Sequence, residues 1–315
     1  MKKTLVFQGC PFHYEMIGFI LDVATKYPWE ITWIILFPNT PDGIGWISLY
    51  QQKYPCFSFS STLPSKDEIE KNYDFILLLT DDDQRFPYSF LVYFSSKMIC
   101  IDHYYQIRTP EIPISNHIRI GPLHSSYPHD SNHQQKYALP IFEYISNAID
   151  KSTFTKNVKK PILTLLGGTN LPFLSRISSI ITNFHDFDIF VINRRIPLQM
   201  GQNLPHNIFL LSGISTESLF NVLEESMYLG LLCDESNDHY HLYSQSASIS
   251  LSFSFGCRLL IPKAMNINLQ STSAFEYENV NTPFYLETSF SLESIFEERK
   301  HFINLRDTCL LEIFS

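Results

Sequence analysis

The sequence is short of charge. Asp, Glu, Lys and Arg make up 17% of its 315 residues, against about 25% in an average domain. Cations are the scarcer sign: 23 Lys and Arg stand against 32 Asp and Glu, for a net charge of −9. Neutralising phosphates needs a cationic face, so no nucleic-acid partner is expected. No apolar run approaches the roughly 20 residues of a membrane span, so no transmembrane segment is expected. The opening MKKTLVFQGCPFHYEM has an apolar run that stops at Gln8 and soon meets Glu15. That is too short for a secretory signal core and reads as a first strand. The six cysteines (Cys10, Cys56, Cys100, Cys233, Cys257, Cys309) lie far apart, with no CxxC pair and no Cys/His metal spacing. Reduced thiols and a cytoplasmic location are expected. His239 and His241 flank Tyr240 in a polar stretch that reads as a loop rather than a metal site. No metal and no cofactor are expected.

Apolar residues are plentiful. Hydrophobic residues make up 44% and aromatics 15%, with 26 Phe and 17 Tyr. That is enough to bury two cores, and the length fits two domains of about 150 residues. Strand-like apolar runs alternate with helical patterns, the signature of βαβ units around parallel sheets. Thr4–Gln8 is followed by a helix pattern over 14–26, with Met16, Ile17, Ile20, Leu21 and Ala24 on one stripe. Further strands are read at Glu30–Phe37, closed by Pro38 and the turn residues PDG, at Asp74–Leu79 and at Met98–Ile101. His117–Ile120 reads as an edge piece, and 122–136 as a loop. Lys151–Lys160 is polar and basic without apolar period, and is read as the domain boundary near residue 155. The alternation then restarts: strands at Ile162–Leu166, Asp188–Ile192, Asn207–Leu211, Tyr228–Cys233 and Arg258–Ile261. Helix patterns follow the glycine turn through Ile181 and lie at 215–227, 244–255 and 291–313.

Ligands of open parallel sheets sit beyond the carboxyl ends of the strands, so the residues just past each strand are the candidates. Gly167-Gly168-Thr169-Asn170 follows strand ILTLL. Two glycines let a backbone approach a phosphate closely, and the N–H groups of a following helix face an anion. The simpler alternative is a tight turn with Asn170 as helix N-cap. Tyr243-Ser244-Gln245-Ser246-Ala247-Ser248 opens a later helix whose small hydroxyl residues suit an anion, or simple capping and close packing.

The order of glycine turn, strand DIFVI, strand NIFLLSG, helix, strand YLGLLCDE and then SQSASISLSFSFGCRLLIPK resembles the nucleotide-sugar-binding half of GT-B glycosyltransferases. The resemblance covers 161–265 well and the N-terminal half loosely. It implies two Rossmann-like α/β domains with a cleft between them: an acceptor domain over 1–155, a donor domain over 156–290, and a helix over 291–315 packing back toward the first. It also implies a role in glycan biosynthesis. The donor would be held near Gly167, Gly168, Thr169, Asn170, Arg194, Arg195, Gly213, Ile214, Tyr243, Ser246, Ala247 and Ser248. In many inverting members a loop after the first strand carries a His that deprotonates the acceptor hydroxyl, and His13 stands in that kind of place, with Glu15 able to orient it or to act itself. Imidazole, with an unperturbed pKa of about 6.5, suits that task. Asp81, in the acidic run Asp81–Asp83 after DFILLL, and His103, in DHYY after MICI, are further candidates. Solvated loops and tyrosine packing are their plainer readings. The paired glutamates of the retaining subgroup are missing, since Leu242 stands seven residues after Glu235. The expectation is therefore an inverting, metal-independent transferase acting on a nucleotide sugar and a hydroxyl-bearing acceptor. A two-Rossmann nucleotide-sugar epimerase and a non-catalytic two-lobed binding protein are the alternatives.

Overall fold

The TLVFQ run of β1 (Lys3–Gln8) is buried on both faces from Thr4 onward, the pattern of a central strand in a parallel sheet. The computed structural model describes residues 2–11, 13–27, 29–79, 93–102, 117–120, 136–141, 159–194, 196, 204–234 and 247–314. β1 pairs in parallel with β2 (Glu30–Ile35) on one side and β4 (Phe75–Leu78) on the other. With β3 (Phe59–Ser60), β5 (Met98–Asp102), β6 (His117–Ile120) and β7 (Lys136–Ala138) they form a seven-stranded parallel sheet, order β3-β2-β1-β4-β5-β6-β7. Helices α1 (Glu15–Lys26), α2 (Pro41–Lys53) and α3 (Lys66–Asn72) belong to this half. Leu5, Phe7, Ile34, Ile69, Ile76 and Leu78 form one side of its core. Burying each is worth roughly 1.5–3 kcal/mol.

Three details differ from the sequence reading. The PDG at 41–43 is the first turn of a helix and not a strand-closing turn. Thr40 caps it, its side chain accepting the Gly43 N–H at 3.0 Å, and Pro41 takes the first position, where a missing N–H costs nothing. Ser65 and Glu68 form a capping box that starts α3. β6 is not an edge strand, because Lys136–Ala138 pairs outside it.

The second half repeats the plan. β8 (Lys160–Leu166), β9 (Asp188–Asn193), β10 (Ile208–Ser212), β11 (Ser226–Gly230), β12 (Arg258–Pro262) and β13 (Phe275–Tyr277) form a six-stranded parallel sheet, order β10-β9-β8-β11-β12-β13. The helices are α4 (Ile177–Ile180), α5 (Thr216–Glu225), α6 (Ala247–Phe255) and α7 (Lys263–Leu269). Leu163, Leu165, Phe187, Val191, Tyr228 and Leu260 lie in one core. Lys159 is buried at the ends of two helices. Its Nζ donates to the carbonyls of Leu223 (3.3 Å), Glu224 (2.6 Å) and Phe255 (2.8 Å). A cation there is favoured by the carbonyl ends of α5 and α6.

The chain divides into two compact units. One comprises Met1–Phe142, Tyr243–Gln245 and Phe302–Ser315, and the other Glu143–Leu242 and Ser246–His301. The boundary expected near residue 155 lies outside the described residues. The last helix, α8 (Leu292–Phe314), belongs to the second unit up to His301 and to the first from Phe302. In its later part Arg306 is fully buried against Asp22 of α1, at 3.5 Å. Arg306 also donates to Asp307 Oδ1 through Nε (2.8 Å) and Nη2 (2.6 Å), and to the Ile141 carbonyl. Lys26 bridges Asp307 at 2.6 Å, and the Tyr54 hydroxyl donates to Asp22. In its earlier part, Glu298 accepts the Ser271 hydroxyl at 2.8 Å and the N–H groups of Thr272 (2.8 Å) and Ser273 (3.1 Å). No helix among the described residues is long and apolar enough to cross a membrane.

Candidate active site

In each sheet the first strand sits where the strand order reverses: β1 between β2 and β4, β8 between β9 and β11. A crevice opens beyond the carboxyl ends at such a point. The residues just past β1 and β8 are His13 with Glu15, and the Gly167–Gly168 turn.

Gly167 has φ +91°, a conformation that L side chains rarely adopt. Its N–H donates to the Ile192 carbonyl at 2.9 Å. A Cβ at Gly167 would meet nothing within 4 Å among the described residues, and one at Gly168 would come no nearer than 3.6 Å, to Asn193 Nδ2. Among the described residues the turn is thus open on its outer side. The ends of β9 and β10 knit onto it. The Gly213 N–H donates to the Asn193 carbonyl at 3.2 Å, and the Ser212 hydroxyl to the Arg194 carbonyl at 3.3 Å. Gly167, Gly168, Arg194, Gly213 and Ile214 therefore share one sheet edge, with Arg194 exposed and Ile214 half-buried. Asn193, absent from the sequence expectation, is the residue joining them. An amide at a strand end before two arginines was the available signal.

The expected α-helix after the glycines is instead a 3-10 segment, Gly168–Arg176, followed by one α-helical turn, α4. Pro172 inside the segment lacks the N–H that an α-helix needs. Asn170 is not an N-cap; that position falls on Gly167. Asn170 is buried, its Nδ2 donating to the Leu166 carbonyl (2.8 Å) and its Oδ1 accepting the Leu232 N–H (2.6 Å). Thr169 lies half-buried in the same segment. At the start of α6, Ala247 is exposed and Ser248 buried. Further along, the hydroxyls of Ser252 and Ser254 turn back to the Ile249 and Ser250 carbonyls, so this buried helix satisfies those hydroxyls internally.

In the first unit His13 has φ +62°, uncommon for a residue with a side chain. Its Nδ1 lies 2.9 Å from Glu15 Oε1, and the two side chains are 28% and 15% exposed. The partial burial keeps the pair intact while leaving the imidazole within reach of solvent. Asp81, His103, Arg195, Tyr243, Ser246, His239 and His241 lie outside the described residues. Among the described residues no group of three or more His, Cys, Asp and Glu side chains could hold a metal ion.

No protein-family model matches the chain, and no curated protein matches it by sequence. Solved structures match its whole length. The S. aureus MnaA–UDP co-structure aligns over 98% of this chain and 91% of its own, with TM-score 0.52 and 10% identity. The glycosyltransferase SnogD from Streptomyces nogalater aligns over 99% of each chain, with TM-score 0.51 and 9% identity. A putative UDP-N-acetylglucosamine 2-epimerase from Listeria monocytogenes aligns over 98% of this chain and 90% of its own, with TM-score 0.50 and 10% identity. The chain has the GT-B fold. At such identities the likeness establishes architecture and leaves activity to the site residues. In GT-B terms, the second unit carries the glycine turn and the first unit the His–Glu pair.

Proposed function

We propose that the chain is a glycosyltransferase that moves a sugar from a nucleoside-diphosphate sugar to an acceptor hydroxyl, with inversion and without a metal. One observation carries this reading: the reversal point of one sheet ends in an open glycine turn, and that of the other ends in a His–carboxylate pair. The open turn suits a diphosphate, which backbone N–H groups and the Arg194 cation would hold. The Glu15 carboxylate, accepting Nδ1–H of His13, favours the tautomer whose Nε2 carries no proton. Nε2 takes the acceptor proton, the acceptor oxygen forms a bond to the anomeric carbon, and the bond from that carbon to the diphosphate breaks. Glu15 then stabilises the imidazolium, and the nucleoside diphosphate leaves from the second unit.

An epimerase is the second reading, favoured by the likeness to the putative 2-epimerase. Thermal shift against UDP, GDP, CMP and dTDP compounds, followed by product analysis, tests both. A nucleotide that binds only the folded chain must raise its melting temperature. The transferase reading expects nucleoside diphosphate release that depends on an added hydroxyl acceptor. Conversion of the sugar nucleotide incubated alone would replace it with the epimerase, and no shift with any nucleotide would remove both.

A further inference from the structure

The turn between β1 and α1 holds His13 at a φ that is costly for any residue with a Cβ. Such a conformation persists only where the surroundings over-determine it. Here they act through Tyr14, which is buried and held at both ends. Its carbonyl accepts the Tyr50 hydroxyl at 2.9 Å, beside the Ile17 N–H at 3.1 Å. Its own hydroxyl donates to the Phe37 carbonyl and lies 2.8 Å from Thr40 Oγ1. Its ring closes over Gly43, where a Cβ would meet the ring at 2.9 Å. Phe37 follows β2 and Thr40 caps α2, so the residue between His13 and Glu15 is fastened to the neighbouring strand–helix turn. Tyr50 is itself fully buried in α2. Desolvation, and then the nearby Glu15 carboxylate, hold its hydroxyl well above the ordinary tyrosine pKa, so it remains a donor across the working pH range.

Resting on the reading of His13 as the base, we propose that Tyr14 and Tyr50 are positioning residues. They fix the peptide between His13 and Glu15 so that Nδ1 meets the carboxylate and Nε2 is presented to the acceptor. They act through His13 and touch no reacting atom. The arrangement is a local lock on one turn: two hydroxyls, from residues 36 apart in the chain, hold either end of a single tyrosine.

The test is the His13 imidazole titration by NMR, its signal assigned by loss in His13→Ala, measured with steady-state kinetics in Tyr50→Phe and Tyr14→Phe. Each variant removes one hydroxyl and keeps the ring. In Tyr50→Phe a looser carboxylate supports the imidazolium less, so the His13 titration moves to lower pH. kcat falls about tenfold while the donor KM stays within about twofold. Tyr54→Phe is the matched control: it is on or next to the same helix, but its hydroxyl serves Asp22, further along α1. It leaves both readings unmoved. A folded Tyr50→Phe with unchanged titration and kcat overturns the proposal, as does an equal change in Tyr54→Phe, which would signal general loosening of α1. Should Tyr50→Phe not fold, Tyr14→Phe decides by the same readouts from the other end. Unchanged turnover in His13→Ala would instead overturn the base reading, while the titration shift would still report the positioning.

Discussion

Asn170 accepts the backbone N–H of Leu232 on its side-chain oxygen at 2.6 Å. Its amide nitrogen meanwhile holds the Leu166 carbonyl. One carboxamide thus ties the end of β8 to the segment leaving β11, across the reversal in strand order. A structural lock and an open glycine turn stand three residues apart, and substitution separates them.

Asn170→Ala leaves a buried N–H without its partner and is expected to cost about 1–3 kcal/mol in urea denaturation. Gly168→Val places its Cβ in ordinary contact with Asn193 Nδ2, at 3.6 Å, without a clash among the described residues, and is expected to leave the urea midpoint nearly unchanged. Its effect falls on the ligand. The parent gains about 2.7 kcal/mol at a nucleotide concentration 100 times Kd, and Gly168→Val gains almost none. A full nucleotide-induced shift in Gly168→Val would move the donor site elsewhere.

At His13, stability and activity are expected to part. Glycine accepts φ +62° without strain and alanine does not. His13→Gly is therefore more stable than His13→Ala, by about 1 kcal/mol. Both lose about 10²–10⁴-fold in turnover if the imidazole is the base. Equal urea midpoints for the two variants would show that the turn relaxes once the histidine is gone.

The Asp22–Arg306 pair is 1% and 0% exposed, beyond the reach of salt screening. Arg306→Met strands the Asp22 carboxylate in the interior and is expected to cost about 3–5 kcal/mol. Adding Asp22→Leu should recover part of that loss. Urea denaturation at low and high salt reads both, and a strong salt dependence of the parent would contradict the burial.

Alkaline pH is expected to destabilise the fold. Burial pushes the Cys233 thiol up to about 12, the Tyr228 hydroxyl up to about 12, and Cys257, Tyr50 and Tyr277 upward as well. A group raised on folding contributes stability that is full below its unfolded pKa and fades as pH rises through its folded value. The loss runs from about pH 9 upward. Lys159, lowered by burial, works in the opposite sense in the same window, and the raised groups outnumber it. Urea midpoints at pH 8, 10 and 11 measure the trend. At pH 8 only exposed Cys56 should react quickly with a thiol reagent, the other five being buried.

The central strands were readable because parallel strands buried on both faces are written as unbroken apolar runs, such as Leu5–Phe7 and Ile162–Leu166. Helix α2 was misread because Pro41-Asp42-Gly43 serves a turn and a helix start equally well, and Thr40 decides between them only through a hydrogen bond. The capping box of Ser65 and Glu68 is a local start signal for α3 that the sequence reading passed over. β7, three residues long, carries no period to detect. In the site, residue types past a strand end pointed to Gly167–Gly168, and the resemblance to inverting GT-B enzymes pointed to His13. The Tyr14–Tyr50 bond joins residues 36 apart, and no local pattern encodes it.

The burial of Arg306 sets an order on synthesis. The bridge from Lys26 to Asp307 spans 281 positions, and the Arg306 bond to Ile141 spans 165. On the ribosome, at about 5–20 residues per second, the N-terminal sheet is translated first, yet it waits through the making of the whole second unit for its last helix. Until then Asp22 has no arginine beside it. The first sheet is thus made well before the helix segment that buries Asp22 beside Arg306.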